Sequence, residues 1–168
     1  AEVEAERPGR IKLVLAGDPQ GRRAFAVELE TLIRKHNLGD AALLVGHVSD
    51  MPAALACADL ALFASLDPEA FGRGAAEAQA MGVPVVVSAH GGFTETVLHN
   101  ETGWHVEPGE VEALAATLLR IIDMDRDRLR AVGQVAANRA RRLYAKTALQ
   151  QATLEVYQRL LAQHGGRK

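Results

Sequence analysis

DLALFASLDPEAFGRGAAEAQAMGVPVVVS, residues 59–88, decides the fold. An apolar run from Asp59 to Ala64 breaks at Ser65-Leu66-Asp67-Pro68. An Ala-rich segment with helical character follows from Gly72 to Met81, and a second apolar run closes the stretch from Val83 to Ser88. Both apolar runs have strand length and read as continuous rather than alternating, the pattern of strands covered on both faces of a parallel sheet. Outward from this stretch the alternation repeats. Ile11 to Ala16 is a strand ended by Gly17-Asp18-Pro19-Gln20-Gly21, and Phe25, Leu29, Leu32 and Ile33 mark a helix between Arg22 and His36, stopped at Asn37-Leu38-Gly39. Ala42 to Gly46 is the next strand, and Asp50 is placed to cap a helix that begins at Met51-Pro52. Downstream, Gly91 to Leu98 is a short helix and Gly103 to Val106 a short strand. Repeated alternation of this kind predicts an α/β fold, a doubly wound parallel sheet with helices on both faces.

After Pro108-Gly109 the pattern is wholly helical. One stripe runs through Val111, Leu114, Leu118 and Ile122, another through Leu129, Val132, Ala136, Ala140 and Leu143, and a third through Leu149, Val156, Tyr157, Leu160 and Leu161. All three helices are expected to pack on the sheet. Arg139, Arg141 and Arg142 read as a solvated helix face rather than a binding patch. Residues 1–10 read as the end of a preceding helix closed by Pro8-Gly9, residues 11–162 as the domain, and residues 163–168 as a frayed tail. The start at Ala1 within a helix suggests a piece of a longer protein.

With 168 residues, 48% of them hydrophobic, the chain supports one domain with its own core. A formal net charge of −2 and seven aromatic residues offer neither the basic surface nor the stacking platform that nucleic acid requires. The single cysteine, Cys57, lies in an Ala-rich stretch and reads as a buried structural thiol in a reducing compartment. No apolar run approaches the length a bilayer demands, so the expectation is a cytoplasmic protein.

In open parallel sheets ligands bind beyond the carboxyl ends of the strands, which here means Gly17–Gly21, Gly46–Asp50, Ser65–Gly72 and Ser88–Gly92. Helices that follow such loops present unpaired amides and a partial positive charge, a phosphate site that needs no lysine. Gly72 and Gly91-Gly92 are expected to let an anion approach the backbone. The dinucleotide G-x-G-x-x-G spacing is absent after the first strand, as are a P-loop, a nucleophile elbow and any zinc-ligand spacing. The six histidines are scattered, although His47 and His90 fall on the expected ligand edge. Two carboxylates occupy different settings: Glu69 on the loop before the Ala-rich helix, and Glu77 about two turns inside it. Glu77 is either an ordinary surface residue or an acceptor for the vicinal hydroxyls of a ribose, and the residues alone leave both open.

The order of these segments resembles the family-4 retaining glycosyltransferases. Their carboxyl-terminal domain carries a Glu-x7-Glu motif in the setting E-x-FG-x-x-x-x-EA-x-A-x-G-x-PV. Glu69-Ala70-Phe71-Gly72 and Glu77-Ala78-Gln79-Ala80-Met81-Gly82-Val83-Pro84-Val85 match it. Gly91-Gly92-Phe93-Thr94-Glu95-Thr96-Val97 resembles the family's GG-x-x-E-x-V segment, and Thr102-Gly103-Trp104-His105-Val106-Glu107-Pro108-Gly109 its last strand and turn. The likeness runs from about Arg10 to Leu161.

The resemblance implies the Rossmann-like carboxyl-terminal half of a GT-B enzyme, holding a UDP- or GDP-sugar with no obligatory metal. It gives Glu69 the catalytic position, on hydroxyls of the transferred sugar. It gives the nucleotide sugar to Gly17, His47, Val48, Ala70, Phe71, Gly72, Arg73 and Glu77, with Glu77 on the ribose. It implies transfer with retained anomeric configuration, the donor phosphate helping to accept the acceptor's proton. The family's first strand of this domain, and the Arg and Lys after it, would precede Ala1. The acceptor-binding amino-terminal domain would lie outside the chain too, so the fragment alone is expected to be inactive. Arg73 departs from the apolar residue more common after the FG pair, and the surface reading is favoured for it. The texture of the motifs points to a bacterial enzyme of lipopolysaccharide or other surface-polysaccharide synthesis, working at the cytoplasmic membrane face by peripheral association. The alternative is a non-catalytic nucleotide- or sugar-binding regulatory module that keeps half of the GT-B shape.

Overall fold

The computed structural model describes residues 1–164. In chain order the elements are α1 (Glu2–Glu6), β1 (Leu13–Ala16), α2 (Arg23–Lys35), β2 (Ala42–Gly46), α3 (Met51–Ala56), β3 (Ala61–Phe63), α4 (Arg73–Ala80), β4 (Val85–Ser88), α5 (Phe93–Thr96), β5 (Gly103–Val106), α6 (Val111–Ile122), α7 (Arg126–Tyr144) and α8 (Lys146–His164). The alternation read from the sequence is therefore the alternation of the fold, an α/β architecture with parallel strands. Asp50 caps α3 as expected, its Oδ1 accepting from the Ala53 amide at 3.0 Å. The expected frayed tail lies, from residue 165 onward, outside the described residues; Gln163 and His164 belong to α8.

The strands form two ladders rather than the single sheet expected. β1 pairs with β2, Leu13 opposite Ala42 and Leu15 opposite Leu44; β3, β4 and β5 form the other, with Ala61 opposite Val85 and Val85 opposite Gly103. No ladder joins β1 to β3. β4 is the centre of the larger sheet, and its period-two alternation sorts its side chains between two cores. Val85 and Val87 face Ala75, Ala78, Phe93 and Val97, whereas Val86 faces Trp104, Val106 and Ile121 with Leu114, Leu118, Leu129 and Val132 around them. Neither core cluster includes a residue of β1 or β2, and Val14 and Leu43 stay about half exposed, at 53% and 49%. Parallel strands are stable when both faces and both edges are covered. Here the cover stops at β3.

Small residues set the helix packing. Gly133 of α7 sits on the Gly82 carbonyl with no room for a Cβ, and Ala136, Ala137 and Ala140 are buried where α7 lies along α4. α1 joins the same body: Val3 is buried, and Arg7 makes a bidentate pair with Asp123 after α6, at 3.2 and 2.6 Å. That pairing pulls the Asp123 carboxyl below its ordinary range.

Three expectations fail. Cys57 is exposed, because it is the C-cap of the six-residue α3 and Leu55 and Ala58 on either side of it take the places against the core. α8 is not laid on the sheet; its neighbour is α7, and Leu149, Tyr157 and Leu161 are exposed. Arg139 leaves the expected solvated face: its half-buried guanidinium reaches back to the Glu95 and Thr96 carbonyls at the carboxyl end of α5, whereas Arg141 and Arg142 are exposed as expected, Arg141 also donating through Nε to the Ala80 carbonyl.

Candidate functional site at the ends of β3 and β4

The loop between β3 and α4 is fixed from beneath by the loop after β4. Ser88 Oγ donates to the Ser65 carbonyl at 2.7 Å, the His90 ring Nε2 lies 3.2 Å from the Leu66 carbonyl, and the Gly92 amide donates to the Glu69 carbonyl at 2.6 Å. The glycine pair was expected to admit an anion; it admits this backbone instead. A Cβ on Gly91 would meet the Glu69 carbonyl oxygen at 2.5 Å, and one on Gly92 would meet Phe71 Cα at 2.5 Å and the Ala70 oxygen at 2.7 Å. Residues 69–71 therefore rest on Gly91-Gly92 with no space between.

Gly72 then turns the chain into α4 with φ 77° and ψ 51°, a left-handed conformation that favours glycine, and a Cβ there would also strike the Phe93 ring at 2.5 Å. As the N-cap it has no side chain to satisfy the first turn, and the first amide bonded back into the helix is that of Ala76, to the Gly72 carbonyl. The amides of Arg73, Gly74 and Ala75 thus open α4 without a side-chain cap, the arrangement that favours an anion. Glu69 is exposed on the loop, and its Oε1 accepts from Ser65 Oγ at 3.3 Å. Glu77 lies one turn along from Arg73, on the same exposed stripe, and Arg73 Nη2 stands 3.3 Å from its Oε1. Arg73 itself is 84% exposed in its side chain.

The structure brings together Glu69, Ala70, Phe71, Gly72, Arg73 and Glu77. Gly17, His47 and Val48 form a second group, at the carboxyl ends of β1 and β2, where the Gly17 amide donates to the Gly46 carbonyl at 2.8 Å. No strand ladder connects the groups. A groove of about 320 Å³ runs between α4 and the end of α7, with Phe71, Arg73, Glu77, Arg141 and Tyr144 among its walls. Among the described residues no three His, Cys, Asp or Glu side chains gather as a metal site would need.

Sequence reasoning missed the supports of this site. Gln79, fully buried, donates through Nε2 to the Thr96 carbonyl at 3.1 Å and the Ala75 carbonyl at 3.3 Å, locking α4 to α5. Arg139 donates to the same Thr96 carbonyl and to that of Glu95, both at 2.9 Å, and to Tyr144 Oη at 3.2 Å. Gln79 had a signal, a carboxamide among Ala75, Ala76 and Ala78 on the apolar face of a helix. Arg139, one of several arginines in α7, had none. The His90 Nδ1 is buried with no hydrogen-bond partner.

A sequence model of the family described as glycosyl transferases group 1 matches residues 2–139. The chain is 37% identical over 107 residues to the amylovoran biosynthesis glycosyltransferase AmsK of Erwinia amylovora, covering 60% of this chain and 26% of AmsK. It is 34% identical over 131 residues to the putative colanic acid biosynthesis glycosyltransferase WcaL of Salmonella typhimurium, covering 74% of this chain and 31% of WcaL. Its fold is similar to the crystal structure of Anabaena Alr3699/HepE in complex with UDP and glucose, with a TM-score of 0.85 and 28% identity over 94% of this chain and 43% of that one. The chain thus spans less than half the length of each protein it is compared with here. With a match over most of its residues and that fold, this chain belongs to the glycosyl transferases group 1 family.

Proposed function

We infer that the chain is the donor-binding domain of a retaining glycosyltransferase, one that transfers a sugar from a nucleoside-diphosphate sugar to a glycan or lipid-linked acceptor in surface-polysaccharide synthesis. The observation that carries the reading is the uncapped amino end of α4, opened by left-handed Gly72, with Glu69 before it and Glu77 inside it. Two further findings support it. HepE, of similar fold, has been crystallised with UDP and with UDP-glucose, and AmsK and WcaL are named for polysaccharide synthesis.

In this reading the amides of Gly72 to Ala75 face the diphosphate, whose charge the helix end stabilises. Glu77 accepts from the ribose hydroxyls and Glu69 from hydroxyls of the sugar, both as charge-assisted bonds. Gly17, His47 and Val48 border the base. Ser65 holds Glu69 by one of its oxygens and leaves the other for the sugar. The chain's residues then orient the donor, while the acceptor and the remaining donor contacts belong to polypeptide outside these residues, so the chain alone is expected to bind and not to transfer.

The same reading accounts for the two ladders. The strand that the family resemblance puts ahead of Ala1 would lie between β1 and β3 and complete one sheet. The uncovered edges, the exposed Val14 and Leu43, and an apolar cavity of about 160 Å³ beside β3, lined in part by Leu62, Leu66, Val86 and Leu114, support that position.

Calorimetric titration of the intact protein with UDP and GDP, parent against Glu77→Gln, tests the assignment. Loss of one charge-assisted bond to ribose weakens binding by about 1.5–3 kcal/mol, whereas Arg73→Ala leaves it within about threefold, since an exposed i,i+4 pair contributes at most a few tenths of a kcal/mol. Equal affinities of parent and Glu77→Gln would remove Glu77 from the ribose.

A further inference from the structure

We propose that Tyr144 is a positioning residue for the donor loop, its ring propping Phe71 while Arg139 holds the ring in place, so that the α7–α8 junction and the amino end of α4 are mechanically one unit. The Tyr144 ring meets the Phe71 ring edge to face, with centroids 5.2 Å apart and planes at 87°. Arg139 anchors that ring twice, by a hydrogen bond from Nη1 to the hydroxyl at 3.2 Å and by its guanidinium carbon 5.9 Å from the ring centroid. The same guanidinium is bonded to the Glu95 and Thr96 carbonyls of α5, the helix that follows the Gly91-Gly92 seat of Glu69. One arginine therefore ties together the seat beneath the loop and the ring beside it.

Phe71 is where such a prop acts. Its Cα is pressed on Gly92 from below and its carboxyl neighbour is Gly72, whose left-handed conformation aims the first amides of α4. A ring free to swing here would let residues 71–73 drift, and a shift of about 1 Å in a positioning element is enough to matter to a site of this kind. Tyr144 is also the last residue of α7: Ala145 is extended, with φ −62° and ψ 143°, and α8 begins at Lys146. Any reorientation of α8 is delivered to the chain at Tyr144, next to the loop.

The inference rests on the donor-domain reading for the identity of the ligand, a nucleoside diphosphate, but not for the mechanical coupling. The test uses the intact protein and two readouts: exchange of the Gly92 and Ala76 amides, which donate to the Glu69 and Gly72 carbonyls of the loop, followed by NMR, and UDP affinity by calorimetry. Tyr144→Leu removes both the edge contact and the anchor. It is expected to speed exchange of those amides several-fold and to weaken UDP about three- to tenfold, the scale of one aromatic pair. Tyr144→Phe keeps the edge contact, loses the hydroxyl bond, and falls between the two. The comparison for a merely structural role is Val132→Ala, in the amino-terminal half of α7 in the Trp104 core, which lowers stability but leaves exchange of the Gly92 and Ala76 amides and UDP affinity at parental values. The proposal is overturned if Tyr144→Leu leaves exchange of the Gly92 and Ala76 amides unchanged, or if Val132→Ala alters exchange and affinity as much as Tyr144→Leu does. A parent protein that binds no UDP, GDP or ADP would sink the donor reading, with the exchange arm still deciding the coupling.

Discussion

Gly92→Ala isolates the seat of the donor loop in one methyl group. Gly92 has φ −62° and ψ −16°, so alanine fits its backbone without strain and the whole effect is steric. The new Cβ would lie 2.5 Å from Phe71 Cα, 2.7 Å from the Ala70 oxygen and 2.8 Å from the Phe71 carbonyl carbon. All three are backbone atoms, so no side chain can rotate out of the way and the loop must lift. Overpacking of a filled site costs about 1–3 kcal/mol. With a urea dependence of about 2 kcal/mol per molar for a small domain, the unfolding midpoint should drop by roughly 1 M. The lift also breaks the 2.6 Å bond from the Gly92 amide to the Glu69 carbonyl, so UDP affinity falls together with stability. The comparison is Gly39→Ala, where no heavy atom lies within 4 Å of the added Cβ, and where the change stays within about 0.5 kcal/mol. Urea unfolding followed by circular dichroism, with UDP titration of the folded proteins, reads both effects. A Gly92→Ala protein as stable as Gly39→Ala, with parental affinity, would refute the idea that residues 69–71 are seated on Gly91-Gly92.

Two other outcomes follow from the geometry. Burial, with the nearby His99, holds the His105 imidazole below its ordinary value of 6.5, only partly offset by the bond of its Nε2 with the Val97 carbonyl. Between the folded and unfolded values the unfolded chain binds the extra proton, so stability declines as pH falls from about 6.5 through the folded value and then levels off. The urea midpoint of the parent should drop more between pH 7.5 and 5 than that of His105→Gln, and equal drops would contradict the assignment. Separately, amides of Leu13–Ala16 and Ala61–Phe63 should exchange much more slowly in a chain extended upstream through the expected strand than in the 168-residue chain; equal rates in the two would place that strand elsewhere.

Much of this architecture was legible because local chemistry and fold agree. Val85-Val86-Val87 reads as a doubly covered strand and is one, and Asp50 before Met51-Pro52 reads as a cap and accepts the Ala53 amide. The reading strayed where a feature depends on partners distant in sequence. The glycine pair 91–92 looks the same in sequence whether a ligand or the Glu69 loop lies against it. Arg139 looks like surface charge until α7 is known to lie along α4, which turns it toward the end of α5. Cys57 sits among alanines, yet Leu55 and Ala58 take the core-facing positions around it and leave the thiol outside. The single sheet was inferred from alternation alone, which says that strands are parallel and not which of them are neighbours. Edges left open at β1 and β3 are visible only in three dimensions.

The central claim is that a nucleoside diphosphate sits at the amino end of α4, and an NMR titration of the chain with UDP, GDP, ADP and NAD tests it most directly. The account predicts that one diphosphate shifts the amides from Glu69 to Glu77 and from Gly46 to Asp50, and that NAD shifts neither. Shifts confined to other residues, or no response to any diphosphate in a chain extended upstream through the expected strand, would contradict it.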